Sequence, residues 1–236
     1  RARWLWLGAC MPARAPHTLN HMYETLIYWI GMAGIAVFAI TGVLALLPKG
    51  VDLFGAIVIG ALTALGGGTL RDLVLGVPVF WSIDDLYIWV SIVASLAAFW
   101  TKNLFSRREI LRLVLYLDGL GVALFATQGT SKAWGLDFGL PVTPVILGIV
   151  TAIGGGIIRD VLAGRPNLLM TSHELYLTPI TLGCVLYAFA LSTFPEMESL
   201  WAMLAPLCIF GLRAAAIYFN VGVPKCLIST PDQPPK

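Results

Sequence analysis

Shifted by 88 residues, this chain matches itself. Gly60-Ala61-Leu62-Thr63-Ala64-Leu65-Gly66-Gly67-Gly68 lies over Gly148-Ile149-Val150-Thr151-Ala152-Ile153-Gly154-Gly155-Gly156, and Arg71-Asp72 lies over Arg159-Asp160. Gly76 and Pro78 lie over Gly164 and Pro166, so that ten of the nineteen pairs over positions 60–78 are identical. Chance does not produce that even in apolar sequence. Upstream, Gly31 lies over Gly119.

The repeat constrains the fold through what surrounds it. A membrane-spanning helix needs about 20 mostly apolar residues, and seven stretches qualify: 25–47, 52–76, 84–102, 110–131, 142–164, 174–194 and 199–220. Turn-forming residues separate them, among them Pro48-Lys49-Gly50, Gly135 to Pro141 and Phe194-Pro195-Glu196. Each copy of the repeat takes in three spans. An odd number forces the second copy to enter the membrane from the opposite side, which makes an inverted repeat with a pseudo-two-fold axis in the membrane plane. The expected fold is therefore an all-α integral membrane protein with seven transmembrane helices, two inverted three-helix repeats plus a seventh helix.

Composition agrees. Charged residues are 12% of the chain and hydrophobic residues 58%, against roughly a quarter charged in soluble domains; lipid is the solvent that tolerates this. The expected organisation is a poorly ordered N-terminal extension over 1–22, a first repeat over 23–105, an inverted second repeat over 106–194, a seventh helix over 195–222 and a polar tail over 223–236. Trp4 to Cys10 is a short apolar run for a cleaved signal, with Pro12 close behind; the stretch reads as an extension or as translated upstream sequence, with Met22 a plausible start.

Charge sets the direction. The loops after spans one, three and five and the C-terminus hold Lys49, Lys102, Arg107, Arg108, Arg112, Arg165 and Lys225, while the opposite loops hold Lys132 with Asp84, Asp85, Asp137, Glu196 and Glu198. The positive-inside rule puts the first set in the cytoplasm. The expectation is a multi-pass protein of the cell's inner (plasma) membrane, with its N-terminus outside and its C-terminus cytoplasmic. Arg1, Arg3 and Arg14 oppose this weakly.

Several function classes drop out. No Lys/Arg run interleaves with aromatics as a nucleic-acid groove would need, so no nucleic-acid partner is expected. Cys10, Cys184, Cys208 and Cys226 have no CxxC spacing; neither a metal site nor a disulfide framework is expected. No Ser/His/Asp cluster appears, and GGGxxRD follows no strand and is neither GxGxxG nor a P-loop. An enzyme is not expected, nor a cofactor.

The repeated GGGxxRD element carries the functional reading. Three successive glycines weaken a helix by roughly 1 kcal/mol each relative to Ala. Gly66, Gly67 and Gly68, and Gly154, Gly155 and Gly156, therefore suggest a bend or break on a polar pathway, whose freed carbonyl oxygens suit a cation. Close packing is the other reading, since Gly60, Ala64 and Gly68, like Gly148, Ala152 and Gly156, have small-xxx-small spacing. Arg71-Asp72 and Arg159-Asp160 follow the triplets. Neighbours i and i+1 do not face each other on a helix, so each Arg is expected to reach another helix or a pore lumen rather than its own Asp. Interfacial snorkelling at helix ends is the alternative.

Asp118 lies about 12 Å into span four by the helical rise and is the deepest acid; it lines a pathway or pairs with Arg213 of span seven. Thr127, Gln128 and Thr130 give span four a polar patch, Thr41 does so in span one, and Ser91 and Ser95 share a face of span three. These side chains line a pore or join helices. His173 is expected to be only solvated.

These motifs resemble the trimeric intracellular cation (TRIC) channel family, whose prokaryotic members also go under the description of glycine-transporter membrane proteins and carry the paired GGGxxRD. Val37-Phe38-Ala39-Ile40-Thr41-Gly42 also resembles the family's first span, and the resemblance runs from about Tyr23 to Tyr218. It implies a seven-helix protomer, a homotrimer among membrane lipids, and a potassium-permeable pore in each protomer, framed by spans two and five kinked at their glycines. Arg71, Asp72, Arg159 and Asp160 would then be gate or pathway residues. One departure stands out: prokaryotic members commonly carry an acid early in span one, and at the 88-residue shift the equivalent of Asp118 is Ile30.

A passive monovalent cation channel needs a continuous polar path without an obligatory proton carrier, and the scarcity of deep acids fits it. A secondary transporter of a small solute such as glycine suits an inverted repeat equally well, though a proton-coupled form would lean on Asp118. A non-transporting scaffold predicts sealed proteoliposomes.

Overall fold

The computed structural model describes residues 17–101, 107–164, 175–219 and 221–222. Among them run seven long helices, one on each predicted span: α1 (His17–Leu46), α2 (Leu53–Leu75), α3 (Leu86–Trp100), α4 (Arg107–Gly135), α5 (Val142–Leu162), α6 (Leu177–Thr193) and α7 (Glu198–Tyr218). Phe80–Ile83 adds one helical turn before α3. Helix α1 begins at His17, within the stretch 1–22. Cys10, Lys102, Arg165, His173, Lys225 and Cys226 lie outside the described residues.

Among the described residues, five helices are long and apolar enough to cross a bilayer, while α3 and α6 are apolar but shorter, at 15 and 17 residues. They rise about 22 and 26 Å, less than the roughly 30 Å of hydrocarbon. The predicted spans 84–102 and 174–194 were too long for identifiable reasons. The Asp84 carboxylate accepts the Leu86 N–H at 3.0 Å and starts α3 there. Leu175 donates its N–H to Val221 O, tying that segment to the end of α7 instead of to α6.

Helix ends follow their local chemistry. Asp52 accepts the Gly55 N–H and caps α2, which ends at Gly76 with φ 67°. Gly50 (φ 76°) lets the chain reverse after α1. Pro206 sits inside α7, which a membrane helix tolerates where neighbours satisfy the freed carbonyl.

The molecule is apolar outside and charged within. Phe54, Trp89, Val161, Phe189 and Leu207 point outward, whereas Arg71, Asp72, Asp118, Arg159, Asp160 and Arg213 are buried. A soluble domain does the reverse; charges in a membrane helix face the bundle interior. Lipid is therefore the medium in which this surface is stable.

The inverted repeat is visible in reciprocal contacts. A Cβ on Gly67 would strike the Thr151 carbonyl oxygen, and one on Gly155 would strike the Thr63 carbonyl oxygen. Helices α2 and α5 thus cross backbone to backbone about a two-fold axis. They are antiparallel, since Lys49, just before α2, donates to Ala163 O just after α5. Helices α1 and α4 cross in the same way: Gly34 faces Phe125, Gly121 faces Phe38, and the two rings stack at 5.0 Å. Helix α7 packs against α4 and α6 outside the repeat.

Two expectations change here. Both glycine triplets lie inside unbroken helices, so no break frees carbonyl oxygens. The glycines let α2 and α5 approach, and that packing sustains the helix despite its poor local propensity. The register changes as well. Gly34 and Gly121, Phe38 and Phe125, and Gly42 and Gly129 hold matching places and are each 87 residues apart, while Thr63 and Thr151 are 88 apart. The loop after α1 and the loop after α4 therefore differ by one residue. The counterpart of Asp118 is Gly31, not Ile30.

Candidate ion pathway

The two Arg-Asp pairs stand at the C-terminal ends of α2 and α5, and both arginines reach across to α4. On the α5 side, Arg159 donates through Nε to Asp160 Oδ1 at 2.9 Å and through Nη1 to Asp118 Oδ1 at 2.6 Å. Asp118 Oδ2 accepts from the Tyr176 hydroxyl at 2.9 Å. The Arg213 guanidinium lies 4.7 Å above the Tyr176 ring and donates to Leu175 O. Asp118 therefore pairs with Arg159, and Arg213 joins it through Tyr176 rather than directly. Fixed multiple hydrogen bonding is what makes such a buried charge cluster tolerable.

On the α2 side, Arg71 donates through Nε to Asp72 Oδ1 at 2.7 Å and through Nη1 to the Gln128 side-chain oxygen at 3.2 Å. Lys132 shares Asp72 Oδ1 at 2.7 Å. Asp72 Oδ2 accepts the Phe80 N–H at 2.9 Å, and the Phe80 ring lies 5.6 Å from the Arg71 guanidinium carbon. That ring is edge-on to Tyr87, which is edge-on to Tyr28, whose hydroxyl donates to Asp84.

Each arginine thus meets its own aspartate, against the expectation that it would not. A guanidinium has donors on two sides. Its Nε turns back along the helix to residue i+1 while Nη1 extends to α4, so one long side chain serves both partners. Snorkelling is excluded for both, because Arg71 and Arg159 are 1% and 0% exposed.

The hydroxyl candidates are buried and donate to their own helices. Thr41 donates to Phe38 O, Ser91 to Ile88 O, Ser95 to Ser91 O and Thr127 to Ala123 O. Ser95 sits against Gly60, joining α3 to α2. Gln128 alone of the polar patch on α4 reaches an arginine. Thr130 is buried beside Gly148.

Sequence reasoning missed Lys132 as a member of the site, although it stands four residues after Gln128 and so on the same helix face. It also missed Tyr176 and Phe80, which carry no spacing signal. Thr63 and Thr151 were present in the repeat but read only as matching letters.

The family model described as Glycine transporter matches residues 28–103 and 115–192, one copy in each half. The chain is 39% identical over 201 residues to the UPF0126 inner membrane protein YadS of Escherichia coli strain K12, covering 84% of this chain and 95% of that one. It is 36% identical over 159 residues to a UPF0126 membrane protein of Deinococcus radiodurans, covering 66% and 73%. Among solved structures it is similar to the TRIC trimeric intracellular cation channel orthologue from Rhodobacter sphaeroides, with a TM-score of 0.77, 33% identity and coverage of 84% of this chain and 100% of that one. It is also similar to a prokaryotic TRIC channel crystallised in 0.5 M KCl, with a TM-score of 0.77, 28% identity and coverage of 84% and 98%. These relatives are membrane proteins and channels, not enzymes. The chain belongs to the family described as Glycine transporter, the UPF0126 membrane proteins, and shares its fold with the TRIC channels.

Proposed function

We propose that this chain is a passive channel for monovalent cations, potassium foremost, with a pore inside each protomer of a homotrimer. The observation that supports this best is the pair of Arg-Asp clusters, related by inversion and both reaching α4 in the protein interior. Such buried charge is expensive in a bilayer and is kept where it serves a pathway. The solved relatives described as TRIC cation channels support the same reading.

Residues 23–105 and 106–194 form the two halves of the pore, and α2 and α5, flexed at Gly66 to Gly68 and Gly154 to Gly156, frame its waist. Arg71 and Arg159 obstruct a cation by like-charge repulsion and act as movable gates. Asp72, Asp160 and Asp118 are the partners that hold them. The hydroxyls of Thr41, Ser91, Ser95 and Thr127 already donate to backbone carbonyls, which leaves their oxygen lone pairs for a permeant ion. The chain needs no cofactor. It lies in the plasma membrane with its N-terminus outside and its C-terminus cytoplasmic.

Potassium flux into proteoliposomes, with and without a glycine gradient, tests this. Potassium current that ignores glycine is expected. Saturable glycine uptake without potassium current would replace the channel with a transporter.

A further inference from the structure

The two clusters are not charge-equivalent, and the difference traces to α4. Among the described residues, the α5 cluster sets Arg159 and Arg213 against Asp118 and Asp160. The α2 cluster sets Arg71 and Lys132 against Asp72 alone. By the 87-residue relation between α1 and α4, the acid that would mirror Asp118 belongs at position 31, and that residue is glycine. Its place is filled by Gln128, whose side chain stands where a Cβ on Gly31 would be and which offers Arg71 a neutral oxygen. Asp84 does not restore the balance. It is reached from Arg71 only through the rings of Phe80, Tyr87 and Tyr28, and it forms no ion pair among the described residues.

We infer that Lys132 is a conductance-setting residue: with Gln128 in place of an acid, its ammonium leaves the α2 arm of the pathway with one uncompensated positive charge, and that arm is the main electrostatic barrier to cations. This rests on the channel reading above. Lys132 suits the role because it is the exposed member of the cluster, three residues before the end of α4, with 29% of its side chain exposed against 1% for Arg71 and 0% for Asp72. A charge at a wetted position acts on ions as they approach and is screened by salt. One buried beneath it is screened much less.

The test is single-channel recording of the full-length protein in planar bilayers, with potassium varied from about one Debye length of 30 Å to one of 3 Å. Lys132→Met is expected to raise unitary potassium conductance about three- to ten-fold at the low-salt end and to converge on wild type at the high-salt end. Lys132→Arg, which keeps the charge, is expected to match wild type throughout. Gln128→Glu supplies the missing negative charge without removing Lys132 and is expected to raise conductance in the same salt-dependent way; it also serves if Lys132→Met does not fold. A conducting wild type with Lys132→Met and Gln128→Glu unchanged, or changed equally at all salt concentrations, would overturn the inference alone. A silent wild type would overturn the channel reading and the inference with it.

Discussion

Arg159 and Asp118 meet at 2.6 Å between α5 and α4, and neither side chain is exposed. Removing one partner of a buried pair leaves an uncompensated charge, at a cost of roughly 3–5 kcal/mol. Asp118→Ala should therefore lower the melting temperature in detergent strongly. The double variant Asp118→Ala, Arg159→Met should lose less than the two single losses together, with a coupling of about 1–3 kcal/mol. Additive losses would mean that the contact contributes little. Asp118→Asn keeps the shape of the site and separates a second question: flux that survives it rules out proton coupling through Asp118.

The glycines of one triplet should differ in what they tolerate. A Cβ on Gly66 meets the tip of the Ile158 side chain, which can swing away, but one on Gly67 meets the Thr151 backbone and one on Gly155 the Thr63 backbone. Gly66→Ala should be neutral or stabilising, by up to about 1 kcal/mol from helix propensity. Gly67→Ala and Gly155→Ala should each lose about 1–3 kcal/mol, because backbone cannot retreat. Thermal unfolding of the three variants in one detergent decides the matter. Equal losses would point to flexibility rather than contact as the role of the triplet.

The contrast explains how far the sequence could be read. Hydropathy located all seven helices, because in lipid the apolar length of a segment dictates its span. The repeat disclosed the inversion, because an odd number of crossings admits no other outcome. Helix ends were harder: Asp84 starting α3 and Val221 holding Leu175 are single hydrogen bonds with no periodic trace. Within the site, Arg71, Asp72, Arg159, Asp160 and Asp118 stood out because a charge inside a span is rare. Their partners did not. Gln128 and Tyr176 become visible only when α4 and the segment before α6 are set beside the arginines. The 88-residue shift aligned α2 with α5 correctly, yet misplaced α1 by one residue against α4, since contacts between helices and not letters set that register.

That corrected register yields its own prediction. A Cβ on Gly31 would occupy the place of the Gln128 amide, and Gln128 is flexible enough to move aside. Gly31→Ala should therefore fold but detach Gln128 from Arg71. It should reproduce the gating of Gln128→Ala in bilayer recordings, and the double variant should behave like either single one. Distinct phenotypes that add together would show that Gly31 does not act through Gln128.

The same asymmetry ranks the two arginines. When Arg71 is removed, Asp72 keeps Lys132 at 2.7 Å and the Phe80 N–H at 2.9 Å, and the other acceptor that loses it, Gln128, is neutral. When Arg159 is removed, two buried carboxylates, Asp118 and Asp160, lose the guanidinium they share. Each arginine gives up two charge-assisted bonds, but a buried acceptor left without its partner costs roughly 1–3 kcal/mol when neutral and more when charged. Arg159→Ala should thus destabilise the protein about 1–2 kcal/mol more than Arg71→Ala, read as the gap between their unfolding transitions. The functional order should reverse: Arg71→Ala, which removes the more loosely held obstruction, should raise the open probability more than an Arg159→Ala sample that remains folded. Equal destabilisation would show that Gln128 and Lys132 hold the α2 arm as firmly as the carboxylates hold its partner. Unchanged currents in both variants would remove the arginines from the pathway.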